Sequence, residues 1–418
     1  MSCVQGFSRR RFFASLAGSL VAGSEVYPLK GDVVQGGAGA AKPAANGLEI
    51  SADFPGGNIL VERVDDHRVF VRQDLRDTEG WWFYWYFAVR KAAGRELEFH
   101  FTNKDVFTSR GPAVSTDAGR SWQWLGRKHV QGTSFRYRVP VGAEEVRFCL
   151  AMPYLERQLQ QFVERHRGQS ELRVETHCRT RKGRATERLH LGRLEGQPAH
   201  RVLLTCRHHA CEMMASWVLE GLLETVLGPG DDGQWFRRHV EIAAIPFVDK
   251  DGVEDGDQGK NRRPLDHNRD YLGQPIYPSV TALKAFAPPW SQGKCRVALD
   301  LHCPYIRGAR DENIFLVGQP DARINAHIER FSALLAKACT GPLPYDPQFN
   351  IPFGTGWNTE QAPRMFSRWA ATLPGIALAA TLEFPYATAG GKEVNVATAR
   401  RFGQDLARAI RRFLETLG

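Results

Sequence analysis

The sequence predicts an α/β protein in which a mixed sheet flanked by helices is preceded by an all-β sandwich. Two observations carry that expectation. From Leu48 to about Met152 the apolar residues fall in short runs, some strictly alternating, broken by Gly, Asp and Asn. That is the spacing of a sandwich of about a hundred residues. From Glu171 onward, short apolar runs alternate with longer stretches of helical period, which implies a largely parallel sheet covered on both faces. The chain has 418 residues, 43% of them hydrophobic and 24% charged. It is long enough for two domains, and its composition excludes a disordered or fibrous protein. The expected division is residues 1–46 for a leader and linker, 47–153 for the sandwich and 154–418 for the α/β domain.

In chain order, the first 25 residues read as an export signal. Ser8-Arg9-Arg10-Arg11-Phe12-Phe13 resembles the twin-arginine consensus, and Phe12 to Ala22 form an apolar stretch too short to span a bilayer. Ala38-Gly39-Ala40 is a candidate cleavage site inside a Gly/Ala/Pro linker. The expected location is therefore exported and periplasmic, with no stable membrane span.

In the sandwich, Trp81 to Phe87 is an aromatic run too dense for a solvent-facing strand. Core packing accounts for it better than a carbohydrate platform does. Leu97, Phe99 and Phe101 alternate with polar neighbours, and further short runs lie at 121–125 and 134–139. After Pro153, residues Tyr154 to Arg167 have the period of a polar helix. Strands are expected at Val202–Thr205, Val240–Val248, Val297–Leu301, Ile314–Val317 and Ile376–Phe384. A helix follows Glu212 as far as Leu227. Two more present Ile324, Ile328, Phe331 and Leu335, and Phe402, Leu406, Ile410 and Phe413, on single faces.

The net charge of +9 is modest. Its densest cluster, Arg179, Arg181, Lys182, Arg184 and Arg188, lacks the aromatic interleaving of a nucleic-acid surface and reads as a solvated hairpin tip. The eight cysteines contain no CxxC pair, so neither a structural zinc nor a redox motif is indicated. Whether Cys211 and Cys303 pair is open at this stage.

Four clusters carry chemistry. Arg201–Glu212, RVLLTCRHHACE, places His209 and Glu212 where a strand gives way to a helix. There an imidazole and a carboxylate three residues apart can turn toward one divalent cation. Asn261 to Tyr271, NRRPLDHNRDY, sets guanidinium forks beside an asparagine amide, a combination suited to holding a carboxylate in charge and direction. Asp300-Leu301-His302 ends an apolar strand with acid and imidazole on one side, where the carboxylate can fix the tautomer of a ligating histidine. Glu383 lies near the end of another apolar strand. A carboxylate buried there needs a compensating charge, and beside a metal it can act as base toward a water molecule.

In this order and at these places, the four clusters resemble the zinc carboxypeptidase family, and within it the cytosolic carboxypeptidase branch. The resemblance runs from about Leu48 to the C-terminus. Trp82-Phe83-Tyr84 with Val89, Phe101, Asn103 and Gly111 is similar to the sandwich of that branch, and Pro153-Tyr154 to its junction. His209-Ala210-Cys211-Glu212 matches the HxxE metal motif, His302 the second histidine, Asn268-Arg269 the pair that holds the substrate's terminal carboxylate, and Glu383 the general base. The resemblance implies a metallocarboxypeptidase with one Zn2+ held by His209, Glu212 and His302. Its partner would be a peptide or peptide-like substrate with a free C-terminal carboxylate, not a nucleic acid. The oxyanion arginine it implies is Arg262, with Arg263 as the alternative because the loop is shorter here. The chain departs from the pattern in having Ala210-Cys211 where the branch has Pro-Gly. It also has no tyrosine between Tyr345 and Tyr386, which leaves Trp357 or Phe353 to cover the substrate. Arg364 and Arg368 read as solvated helix residues. Competing readings are a γ-D-glutamyl amidase of the same fold and a glycan- or protein-binding pseudoenzyme. A serine hydrolase is disfavoured because no GxSxG elbow occurs.

Overall fold

The computed structural model describes residues 47–360 and 364–417; the expected export signal and linker at 1–46 lie outside the described residues. Up to Cys149 the chain builds two five-stranded sheets. One contains Glu49–Ser51, Tyr86–Arg90, Glu145–Cys149, Ala113–Ser115 and Gln123–Trp124. The other contains Leu60–Asp65, Arg68–Arg72, Glu96–Phe101, Ser134–Arg138 and Val130–Gln131. The sheets face each other through aromatic rings: Phe87 and Phe148 of the first lie 5.3 and 5.1 Å from Phe99 of the second, centroid to centroid. The alternation at Leu97, Phe99 and Phe101 puts all three in this core, as a period of two requires.

The rest of the chain forms a seven-stranded mixed sheet. Its order is Leu172–Arg179, Ala185–Gly192, Val240–Ile245, His200–Cys206, Cys295–His302, Leu378–Glu383 and Phe315–Val317. The four central strands, Val240–Ile245 to Leu378–Glu383, are parallel, and the flanking pairs are antiparallel. The central strands are buried except at the half-buried Arg296, as expected of a sheet covered on both faces. Helix Met213–Leu227 is apolar nearly all round and packs against the amphipathic Val396–Glu415. Phe402, Leu406, Ile410 and Phe413 form the latter's buried stripe. Among the described residues no helix is long and apolar enough to cross a membrane.

Three local expectations are corrected. The strand expected to reach Val248 stops at Ile245, because Pro246 has no N–H to give the ladder. The aromatic run enters its strand only at Tyr86. Before that point it crosses to the α/β half: the Tyr84 N–H donates to Gln258 Oε1 at 2.7 Å and the Gln258 amide returns a bond to Tyr84 O at 2.9 Å. Finally, the basic hairpin tip is neutralised rather than simply solvated. Arg184 pairs with Asp251 and Asp255 at 2.8 and 2.7 Å, and Lys182 with Asp255 at 2.6 Å.

Candidate metal centre

Each side chain of the centre comes from the carboxyl edge of a central strand or the loop just beyond it. His209 and Glu212 sit in the turn between His200–Cys206 and helix Met213–Leu227. Arg207 holds the turn from beneath in a left-handed conformation, φ 60°, and its guanidinium donates to the carbonyls of Ala210 and Tyr154. His302 is the last residue of its strand and is in register with Glu383 on the next.

The three expected ligands converge. His209 Nδ1 lies 2.8 Å from Glu212 Oε1, His302 Nδ1 lies 2.7 Å from Glu212 Oε2, and the two Nδ1 atoms are 3.1 Å apart. All three side chains are buried. Ligands at about 2.0–2.2 Å around a tetrahedral zinc ion stand about 3.3 Å from one another, so this cluster has nearly the span of a coordination shell. Two imidazole nitrogens aimed at one carboxylate are also the donor set of a catalytic zinc site. A further sign of fit is Glu383: its Oε2 is buried and has no hydrogen-bond partner among the described residues. Burial, with Glu212 nearby and against the pull of His302, pushes the Glu383 carboxyl up to about 7.

Each histidine has an acid on its far side, and that of His302 is hydrogen-bonded to it. His302 Nε2 meets Asp300 Oδ2 at 2.5 Å, and His209 Nε2 lies 3.4 Å from Asp266 Oδ1. Burial alone would lower the pKa of His302, but Asp300 and Glu212 outweigh it and hold the imidazole well above its usual range. Asp300 also accepts from Thr205 Oγ1 at 2.8 Å and contacts His208 Nδ1 at 2.7 Å. The other nitrogen of His208 reaches the Tyr271 hydroxyl at 2.7 Å. The adjacent histidines therefore diverge: His209 faces the candidate ligand cluster with Glu212, and His208 lies in a polar network with Asp300 and Tyr271.

The substrate-facing expectations divide. Arg269 lines a cleft of about 520 Å³ with Glu79, Gly80, Asn261, Arg262, Leu265 and Asp266. Asn268 lies behind it, its Oδ1 accepting from the Phe366 N–H at 2.9 Å and its Nδ2 3.4 Å from His302 Nε2. Arg262 lines the same cleft, but its guanidinium is engaged by Asp77, Asp249 and Asp257 at 3.1, 2.9 and 3.0 Å. The alternative, Arg263, is 80% exposed and pairs with Glu79. Trp357 is an exposed loop residue, while Phe353 stacks under Arg368, which itself donates to Asn358 and Thr359. Arg368 is thus tied into its loop rather than solvated. Cys211 and Cys303 are separate buried thiols. Burial pushes Cys211 up to about 12, so it packs as a neutral group under the Trp82 indole, whose N–H donates to it at 3.2 Å.

Sequence reasoning missed Gln258, Lys260 and the role of Asp266. Lys260 Nζ lies 3.2 Å from Glu212 Oε1 and 3.1 Å from His209 Nδ1. The loop comes this close because Gly259, at φ +74°, packs where a Cβ would stand 2.2 Å from Ala210 N. In the sequence, a lysine in a Gly- and Asp-rich loop is indistinguishable from a surface residue. Asp266, two residues before Asn268-Arg269, was the more readable of the two.

The fold is that of the metallo-carboxypeptidases. The structure superposes on a metallo-carboxypeptidase from Burkholderia cenocepacia with a TM-score of 0.75 at 20% identity, covering 89% of this chain and all of that one. A metallo-carboxypeptidase from Pseudomonas aeruginosa, in complex with (2-guanidinoethylmercapto)succinic acid, superposes with a TM-score of 0.73 at 21% identity, covering 88% of this chain and all of that one. In sequence the chain is similar to the cytosolic carboxypeptidase branch of the zinc carboxypeptidases. It is 24% identical over 347 residues to cytosolic carboxypeptidase 3 of Bos taurus, 73% of this chain and 34% of that protein. It is 23% identical over 311 residues to cytosolic carboxypeptidase 6 of Caenorhabditis elegans, 66% of each. The chain therefore spans about a third of the bovine relative's length. No family model matches the chain.

Proposed function

We propose that this protein is a zinc-dependent metallocarboxypeptidase that removes C-terminal residues from peptides or peptide-like cell-wall fragments in an exported compartment. The observation that carries the reading is the convergence of His209 Nδ1, His302 Nδ1 and the Glu212 carboxylate beside the unpartnered Glu383. A zinc ion held by those three side chains would supply Lewis acidity and lower the pKa of a water molecule. Arg269 binds the free carboxylate of the substrate as a planar fork, with Asn268 behind it. Glu383, with a carboxyl poised near 7, takes the proton of the attacking water and passes it to the departing amine. Asp300 holds the His302 imidazole in the tautomer that leaves Nδ1 free, and Asp266 stands 3.4 Å from His209 Nε2. The twin-arginine pattern at the N-terminus supports export.

Metal analysis joined to assay tests the reading. One zinc per chain is expected, with hydrolysis of at least one peptide in a set ending in acidic, basic and apolar residues, run beside muropeptides. Both zinc and activity should vanish on chelation and in His209→Ala. Full turnover by zinc-free protein would refute it, and turnover of muropeptides alone would favour the amidase.

A further inference from the structure

Attack on an amide puts negative charge on the former carbonyl oxygen, and a donor must reach that position when the tetrahedral state forms. Arg262 lines the cleft, but its side chain is only 6% exposed and its guanidinium would have to give up pairs with three carboxylates to serve. Arg263 points to solvent beside Glu79, and Arg269 lines the cleft where the terminal carboxylate binds. Lys260 meets the geometric requirement. Its ammonium touches two of the three candidate ligands, 21% of its side chain is accessible, its neighbour Asn261 lines the cleft, and Nζ lies 5.5 Å from the centroid of the Trp82 ring. Its position is fixed from the sandwich side by Thr78, whose hydroxyl donates to the Lys260 carbonyl at 2.8 Å.

We propose that Lys260 is the oxyanion donor of this enzyme, a catalytic lysine in place of an arginine. The inference rests on the hydrolase reading above. In the free protein the ammonium offsets the Glu212 carboxylate. Once a cation shares that carboxylate, like-charge repulsion turns Nζ toward the cleft, where the substrate's carbonyl oxygen is its next acceptor. In the step itself, the water oxygen bonds to the carbonyl carbon and the C=O π pair moves to the oxygen, where the Lys260 N–H donates to it. Glu383 receives the water's proton. Collapse re-forms C=O, breaks C–N and releases the amine with that proton, so charge and atoms balance.

The test uses the zinc-loaded full chain, its best peptide from the set above and the phosphonate isostere of that peptide, which mimics the tetrahedral state. Lys260→Met should lower kcat about 100- to 1,000-fold while KM moves by no more than about threefold. Calorimetry should show phosphonate affinity falling by a similar factor while the product amino acid binds as before. Lys260→Arg should recover part of both, since it restores a charged donor. Zinc content and thermal midpoint, measured on every variant, separate a chemical loss from a folding loss. If Lys260→Met binds the phosphonate as tightly as the parent, or loses product affinity equally, the assignment to Lys260 is wrong although the hydrolase reading stands. If the parent protein neither turns over nor binds the phosphonate, that reading fails and takes this one with it.

Discussion

The α/β half and the sandwich half serve the centre in different ways. His209, Glu212, His302 and Glu383 all come from strand ends or the turn beyond a strand in the α/β half, and among the described residues the sandwich adds no ligand. It instead grips the loop at 256–263. Asn58 donates to Gly256 O at 2.7 Å, Gln258 exchanges bonds with the Tyr84 backbone, the Glu79 N–H donates to Asn261 O at 2.9 Å, and Asp77 pairs with Arg262. The same Gln258 accepts the Cys211 N–H through its backbone carbonyl at 3.1 Å, one residue before Glu212. A rigid sheet thus presents the ligands, and a second body decides which side chains of a long loop meet them.

Variants of the two regions should separate these contributions. The largest effect belongs to chemistry. Glu383→Gln is expected to cost about 10²–10⁴-fold in kcat with little change in melting. In the parent, kcat/KM should fall as pH drops, because the base must be ionised. The limb should lie at or below about 7, since a bound cation favours the carboxylate, and it should be missing from Glu383→Gln. A parent profile flat from pH 5 to 8, as an order-of-magnitude window around that value, would remove Glu383 from the role. Next comes Arg262→Met, a variant of the clamp. It leaves the buried Asp249 without its cation, while Asp257 keeps Arg76 at 2.7 Å, and chemical denaturation should show about 3–5 kcal/mol of lost stability. A loss of activity with unchanged stability would instead give Arg262 a place in the chemistry. Asp300→Asn should be milder, weakening zinc affinity about 10- to 100-fold, read by competition with a chelator, while the fold persists. Smallest of all, Lys182→Met at the hairpin tip removes a pair whose lysine is 60% exposed. It should change stability by less than about 1 kcal/mol.

The parts legible in the sequence were those written in local periodicity. The helix at Met213–Leu227 and the alternation from Leu97 to Phe101 follow from side-chain direction at periods of 3.6 and 2. The loop was less readable. Nothing near Arg262 in the sequence distinguishes it from Arg263, yet one is buried among carboxylates and the other is exposed. Two of Arg262's partners, Asp249 and Asp77, stand on different segments, and the second belongs to the sandwich. Likewise, Gln258 reads as a loop polar residue until Tyr84, 174 positions earlier, is placed against it.

By itself the sequence determined five of the seven strands of the mixed sheet and the longest helices, though not Leu172–Arg179 or Ala185–Gly192, and that His209, His302 and Glu383 stand at the carboxyl edge of the sheet, because strand period and termination are set by neighbours a few residues away. Tertiary structure alone decided that Lys260 rather than Arg262 reaches the ligands. Which cation a buried carboxylate takes is an electrostatic question about distance in space, and the carboxylates concerned come from three separate parts of the chain.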